Sequence, residues 1–372
     1  MFKNILILLL INCIVACNHT TKQKDKKDIF IDPTEQVSAT DLFSSYQYIA
    51  LETTADNLIS KIDKVQIDST NNRIYVMDQE RAAVFIFDSH GKFIHKIQHI
   101  GRAPEEYSSL EDFMMYKSDI YCLARSGKIN CYSETGDFLR GYKLDNWYNN
   151  FVILNDSLMY LYSENSNNKK FNFILYDYKN DVYLKEFDPF SKNQNFLFQT
   201  TPFNRVEDSL LITKPFDLTV YLLDENAMVP WNTFSFNTPD KIPDDYENMS
   251  MEILNHNLRG KSLVKRLDHI TKEKNMIWIT YEIFYPDLGY RSLVSSYDLD
   301  SKKAKTFRSG DDIDTQIPFI FNPLLFYKDQ LITYFPAIAA LDIAKRYSLN
   351  IFKNDTIQET DNPILFFNKL KH

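Results

Sequence analysis

Arg73-Ile74-Tyr75-Val76-Met77, a short turn, Ala83-Val84-Phe85-Ile86-Phe87, the turn Asp88-Ser89-His90-Gly91-Lys92 and a strand from Phe93 fill most of Asp63 to Ile97. Glu111 to Leu144 repeats the pattern, with Lys128-Ile129-Asn130-Cys131-Tyr132 and Phe138-Leu139-Arg140-Gly141-Tyr142 hinged on Ser133-Glu134-Thr135-Gly136-Asp137. Each copy reads as four short apolar strands joined by tight turns. One such sheet buries too little to stand alone and gains stability by stacking on copies of itself.

The turn after the third strand is a landmark that can be followed along the chain. It falls at Asp88, Ser133, Asp177, Asp224, Asp298 and Asn354, at intervals of 45, 44, 47, 74 and 56 residues. Four-stranded units at periods of about 40–50 residues are the blades of a β-propeller. The long interval is accounted for by Asn237 to Leu267, where Pro239, Pro243, Asp244 and Asp245 precede a helical spacing of Tyr246, Met249, Ile253 and Leu254. Asp244 and Asp245 are the candidate caps. The sequence therefore predicts an all-β, six-bladed propeller with one helical insertion at about 237–267, between the fourth and fifth blades. Tyr46 to Leu51 is a strand outside the six copies, and it is expected to close the ring beside Ile364-Leu365-Phe366-Phe367, since an open edge invites aggregation.

Composition agrees. The 372 residues are 44% apolar and 25% charged, with 28 Phe and 23 Tyr, which favours strands. Only 8 glycines are present, so Asn, Asp and Ser must occupy many turn positions. A net charge of -8 excludes a nucleic-acid binder relying on a basic face.

Met1 to Cys17 reads as a targeting segment, with Lys3, an apolar run Ile5 to Ile11 too short to span a bilayer, and then Ile14-Val15-Ala16-Cys17. The tetrapeptide resembles a bacterial lipobox. The resemblance implies a signal peptide over 1–16, lipidation of Cys17 and attachment to a membrane of the cell envelope, the outer membrane being the expected one. The polar run from Asn18 to Asp28 extends into an expected flexible tether over 17–40, with the propeller over 41–372. Two cysteines then remain. A two-residue turn at Ser126-Gly127 would set Cys122 opposite Cys131, as a strained bridge or as two packed thiols.

Leu51-Glu52-Thr53, Phe87 to Phe93, the loop Gly101-Arg102-Ala103-Pro104-Glu105-Glu106-Tyr107 and the ending Asn362-Pro363-Ile364-Leu365 resemble the bacterial six-bladed propeller lipoproteins of NHL-like type. That resemblance implies the fold and an envelope location, and no activity. The loop is similar to the family's Gly-x-Gly-Pro-Gly-Glu-Tyr at Gly101, Pro104, Glu106 and Tyr107, with Ala103 and Glu105 in place of two glycines.

Candidate site residues follow from this architecture. Arg102, Glu106 and Tyr107 either face a ligand or fix the step between blades. Arg81, Arg125, Tyr285 and Arg291 belong to second-to-third strand loops on the same face. Asp63, Asp112, Asn150, Asn204, Asp268 and Asn322 stand near the heads of the innermost strands, either as turn formers or as a ring of oxygen ligands for Ca2+. Among the histidines only His269 is a candidate channel residue. No Gly-x-Ser-x-Gly elbow, phosphate-cradling loop or Cys-x-x-Cys pair is present. The expected function is an extracytoplasmic binding or assembly module recognising a protein, peptide or glycan. The alternative is a metal-dependent lyase or hydrolase using the polar ring with His269.

Overall fold

A computed structural model describes residues 27–164, 170–190, 201–285, 289–308, 313–352 and 356–371. The expected signal segment, Cys17 and the start of the expected tether lie outside these residues. The chain begins with β1 (Lys27–Ile31), the short helix α1 (Ala39–Leu42) and β2 (Phe43–Ala50). Blade 1 is β3 (Lys64–Asp68), β4 (Arg73–Asp78), β5 (Ala83–Asp88) and β6 (Phe93–Ile97); blade 2 is β7 (Asp112–Tyr116), β8 (Asp119–Ala124), β9 (Lys128–Tyr132) and β10 (Phe138–Lys143). Blade 3 is β11 (Asn150–Ile153), β12 (Leu158–Tyr162), β13 (Phe171–Asp177) and β14 (Val182–Pro189); blade 4 is β15 (Phe203–Val206), β16 (Ser209–Lys214), β17 (Asp217–Leu223) and β18 (Met228–Phe236). The helix α2 (Met251–Leu258) leads to blade 5, β19 (Val264–Glu273), β20 (Met276–Tyr285), β21 (Gly289–Asp298) and β22 (Ala304–Arg308). Blade 6 is β23 (Pro323–Tyr327), β24 (Gln330–Phe335), β25 (Ile364–Leu370) and the early strand β2, with the helix α3 (Ala337–Arg346) between β24 and β25.

The fold is thus a six-bladed propeller of four-stranded antiparallel blades. Its strand patterns follow from stacking. A middle strand is covered on both faces by neighbouring blades, so β4 and β5 are buried almost throughout, whereas the outermost strand β10 is largely exposed. Side chains alternate between the two neighbours. In β4, Tyr75 and Met77 join a core shared with Phe113, Ile120 and Cys122 of blade 2. Ile74 and Val76 join the core shared with Ile332, Leu365 and Phe367 of blade 6. Six such clusters lie between successive blades, so the hydrophobic core is a ring of interfaces.

The same alternation decides the cysteines. The turn after β8 has three residues, with Gly127 at φ +73°, and the register pairs Cys122 with Asn130 and Tyr121 with Cys131. A shift of one residue sends the two thiols to opposite faces of the sheet. Cys122 faces blade 1 and Cys131 faces blade 3, both buried and free, which corrects the opposed pair expected from a two-residue turn.

Closure occurs as expected, with β2 antiparallel to β25 and Tyr46 opposite Asn368. The expected tether through residue 40 does not hold from Lys27 onward. β1 adds to the outer edge of blade 4, parallel to β18, with Ile29 opposite Phe234 and both Ile29 and Ile31 fully buried. Gln36 then bridges to Thr306 on blade 5 before β2 completes blade 6. Residues 27–50 therefore strap three consecutive blades. The alternation Ile29, Ile31 was the available signal, masked by the lysines before it.

Three of the four motifs that carried the resemblance, at 51–53, 87–93 and 362–365, meet at the seam between blades 6 and 1. Asn362, 2% exposed, donates from Nδ2 to the carbonyls of Glu52 (2.9 Å) and Asn57 (3.0 Å), while its Oδ1 accepts from the Ile59 amide (2.9 Å). Glu52 in turn accepts from the Phe93 amide (2.8 Å), and its own amide donates to the Gly91 carbonyl (2.8 Å). A Cβ on Gly91 (φ +84°) would overlap the Ala50 carbonyl, so the turn needs glycine both for its backbone and for the close approach of β2.

The insertion contains α2, capped by Ser250, whose hydroxyl accepts from the Ile253 amide (3.3 Å), and not by Asp244 or Asp245. Tyr246, Met249 and Leu254 pack as the spacing implied, with Leu258, Phe216 and Leu263, but Ile253 is 53% exposed. α3 was not anticipated. Ala337, Ala340 and Ala344 form its buried face, and the third strand of blade 6 is β25; the landmark placed at Asn354 lies outside the described residues.

Candidate functional site: the connector face and the channel

In an antiparallel blade the second-to-third strand loops and the blade-to-blade connectors emerge at one end. The connector from β6 to β7 is a compact loop. The amide of Gly101 donates to the Tyr107 carbonyl (3.1 Å) and that of Tyr107 to the His99 carbonyl (2.8 Å). Glu106 folds back so that its Oε2 accepts from the Ala103 amide (2.9 Å), and a Cβ on Gly101 would overlap that carboxylate. The glycine is required by the fold-back. Tyr107 is 1% exposed, its hydroxyl donates to the Ile97 carbonyl (3.3 Å), and burial raises its pKa. Glu106 and Tyr107 therefore hold the loop, the second of the two readings, and are not presented to a ligand.

The loop is also fastened to blade 2. Lys128 donates from Nζ to the carbonyls of Ala103, Pro104 and Glu106, and the Tyr132 hydroxyl donates to the Glu105 carbonyl (2.5 Å). His99 stacks on Tyr132 with ring centres 4.7 Å apart. Between loop and blade lies a cleft of about 780 Å³, whose charged lining is Arg102, Lys128 and Lys143, with no carboxylate. Arg102 is exposed and makes no ion pair among the described residues. Phe138, Pro104 and Ser126 complete the walls. Lys128 and Lys143 were missed because their faces depend on the three-residue turn.

The other cations of this face are already engaged. Arg81 donates from Nε to the Ser60 hydroxyl (2.9 Å), close to the buried Asp78 carboxylate (3.8 Å). Arg125 pairs with Glu111 (3.0 Å) and lies over the Trp147 ring. Tyr285 and Arg291 stand on β20 and β21 of blade 5, across the ring; the Arg308 guanidinium lies 5.2 Å from the Tyr285 ring centre, and Arg291 donates to the Tyr290 carbonyl (2.9 Å). The structure does not gather these seven residues at one site.

The channel holds a cavity of about 240 Å³ lined from all six first strands. Of the six residues expected to ring it, Asp112, Asn150 and Asn204 line it. Asp63 turns to Lys61 (2.8 Å) and the Gln79 amide (2.8 Å), Asp268 to Arg266 (2.6 Å), and Asn322 is exposed near the Tyr334 carbonyl. First strands of adjacent blades are not paired by backbone ladders, and side chains bridge them. Asp112 Oδ2 accepts from the Phe151 amide (3.1 Å), Gln66 Oε1 from the Met115 amide (2.6 Å) and Asn204 Oδ1 from the Ile270 amide (3.1 Å). Asp112 Oδ1 also accepts from Lys64 Nζ (2.6 Å). His269 lines the cavity, and burial lowers its pKa. Among the described residues no three His, Cys, Asp or Glu side chains are grouped to hold a metal ion. Asp112, Gln66 and Asn204 thus stitch blade to blade, while Asp63 and Asp268 take partners close in sequence.

Comparisons with known proteins come to the same architecture. The model of a domain of unknown function, DUF4934, matches residues 25–369. No curated protein matches the sequence. Among solved structures, a presumed exported protein of Bacteroides fragilis is similar at 17% identity and a TM-score of 0.76, over 93% of this chain and 100% of that one. A DUF4221 family member of Bacteroides vulgatus is similar at 12% identity and a TM-score of 0.56, over 89% of this chain and 97% of that one. At these identities the likeness shows the fold.

Proposed function

We propose that this protein, which belongs to the DUF4934 family, is an extracytoplasmic recognition module that binds an acidic segment of a partner protein in the connector-face cleft. The observation that carries the reading is the cleft's charge. In a chain of net charge -8, three cations line one cleft without a carboxylate, and Arg102 is exposed at it. A rigid ring presenting loops at one end suits recognition, and a planar guanidinium suits a carboxylate ligand. The location rests on the lipobox-like Ile14-Val15-Ala16-Cys17 and is supported by the description of the similar Bacteroides fragilis protein as exported. Lipidation at Cys17 would hold the propeller at a membrane of the envelope.

The test is titration of the protein with a fluorescein-labelled hexaglutamate peptide and, in parallel, with a labelled hexagalacturonate. Peptide binding that weakens with salt and falls at least tenfold in Arg102→Glu, with an unchanged melting temperature, is the expected result. Binding of the polyuronate alone would assign the cleft to glycans and overturn the protein reading. Binding of neither, or an unaffected Arg102→Glu variant, would sink it. Loss of radiolabelled palmitate incorporation in Cys17→Ser cells checks the anchor.

A further inference from the structure

On the end opposite the connectors, a pocket of about 490 Å³ opens between blades 2 and 3. Its size lies in the range of about 300–1,000 Å³ spanned by small-molecule sites. The walls are four tyrosines. Tyr121 and Tyr142 are stacked at 13° with centres 6.4 Å apart, and Tyr178 stands edge-on to Tyr142 at 5.3 Å. Tyr121 and Tyr178 are buried, while Tyr142 and Tyr116, at the end of β7, are half-buried.

The polar groups are arranged around these rings. Arg140 lies over Tyr121 and is held flat, donating from Nη2 to Asp119 (2.6 Å) and to the Tyr121 hydroxyl (2.6 Å), and from Nε to the Tyr142 hydroxyl (2.8 Å). On the facing hairpin, Asp156 Oδ1 accepts from Tyr116 (3.1 Å) and pairs with Lys117 (2.5 Å). Among the described residues, Nη1 of Arg140, Oδ1 of Asp119 and Oδ2 of Asp156 have no hydrogen-bond partner. Donors and acceptors thus alternate beside flat apolar faces. The two ion pairs cancel in charge, leaving Lys179.

We propose that this pocket binds a neutral saccharide, with a sugar ring against Tyr142 or Tyr116 and its hydroxyls bridging Arg140, Asp119 and Asp156. A pyranose has an apolar face of C–H groups and a rim of hydroxyls that both donate and accept, which matches aromatic walls flanked by mixed polar groups. A strongly charged ligand finds little to select it here, because Arg140 and Lys117 already have their anions and only the exposed Lys179 adds a net charge. The pocket shares Tyr142 with the lining of the connector-face cleft but opens at the other end of the blades, and neither proposal depends on the other.

The experiment is calorimetric titration of the full chain with cellohexaose, maltohexaose, xylohexaose and mannohexaose. At least one should bind with a dissociation constant below about 1 mM. Tyr142→Ala should weaken that binding at least tenfold. Arg140→Lys, which keeps the charge and loses the fork, should weaken it severalfold. Arg102→Glu should leave it unchanged. Because Tyr142 packs on Tyr178, Tyr116→Ala is the second variant, expected to weaken binding in a chain that remains folded. Absence of binding by all four saccharides would overturn the proposal, as would binding untouched by both tyrosine variants. Capture of a proline-rich peptide but no saccharide would likewise overturn it.

Discussion

The seam between blades 6 and 1 and the connector between blades 1 and 2 make the same step round the ring by different physics. At the seam the polar groups are buried and mutually satisfied. Asn362 bonds three backbone groups, and Gly91 is pressed against the backbone of β2. At the connector Glu106 and Tyr107 serve the loop, and Arg102 is left in solvent beside a cleft. Chain closure is the point at which the ring can open, so the seam must be over-determined. Both steps are covalent, β2 running on into β3 and β6 into β7, but only the first adjoins the non-covalent β2–β25 closure inside blade 6; the β6–β7 connector needs only enough internal bonding to fix its shape, which leaves a side chain for recognition.

The largest difference is expected from Asn362→Ala. It strands the carbonyls of Glu52 and Asn57 and the amide of Ile59 in a buried site, for a loss of about 3 kcal/mol. Chemical denaturation measures this, and a loss below about 1 kcal/mol would remove the seam's special status. The two glycines sharpen the comparison. Gly91→Ala meets backbone at a positive φ and should cost about 2 kcal/mol, whereas Gly101→Ala meets the movable end of Glu106 and should cost about 1 kcal/mol. The reverse order would break the distinction between a rigid seam and an adaptable connector.

A smaller effect belongs to the channel, which lies between the two regions. Burial depresses the pKa of His269 below its ordinary value of 6.5, partly offset by Asp268 and reinforced by Arg266. The unfolded chain then binds more protons than the folded one below that pH. The stability contributed by neutral His269 is complete above pH 6.5 and is lost as the pH falls below it. Melting temperatures of the wild type and His269→Asn, compared from pH 7.5 to 5, should converge toward the acid end. Parallel curves would assign the acid sensitivity elsewhere.

The period of the third-strand turn was legible because stacking imposes apolar middle strands on every blade, and it carried the blade count and the closure by β2. The strap at Ile29 and Ile31 was hidden by the lysines before it, and α3 by attention to strand landmarks, although Ala337, Ala340 and Ala344 show helical spacing. The connector loop was found from its motif, but a motif does not say which side chains point inward. That depended on the Glu106 fold-back and on one extra residue in the Gly127 turn, which places Lys128 beneath the loop. The six-residue polar ring failed to assemble because strand heads need local partners first, and Asp63 and Asp268 take theirs from Lys61 and Arg266.

The division of labour is tested most directly by the affinity for the hexaglutamate peptide at 20 °C, measured for Arg102→Glu and Asn362→Ala side by side. The account predicts at least tenfold weaker binding by Arg102→Glu with wild-type stability, and wild-type affinity for Asn362→Ala despite a melting temperature lowered by roughly 5 °C. Equal affinity for both variants, or weakened binding by Asn362→Ala alone, would contradict it.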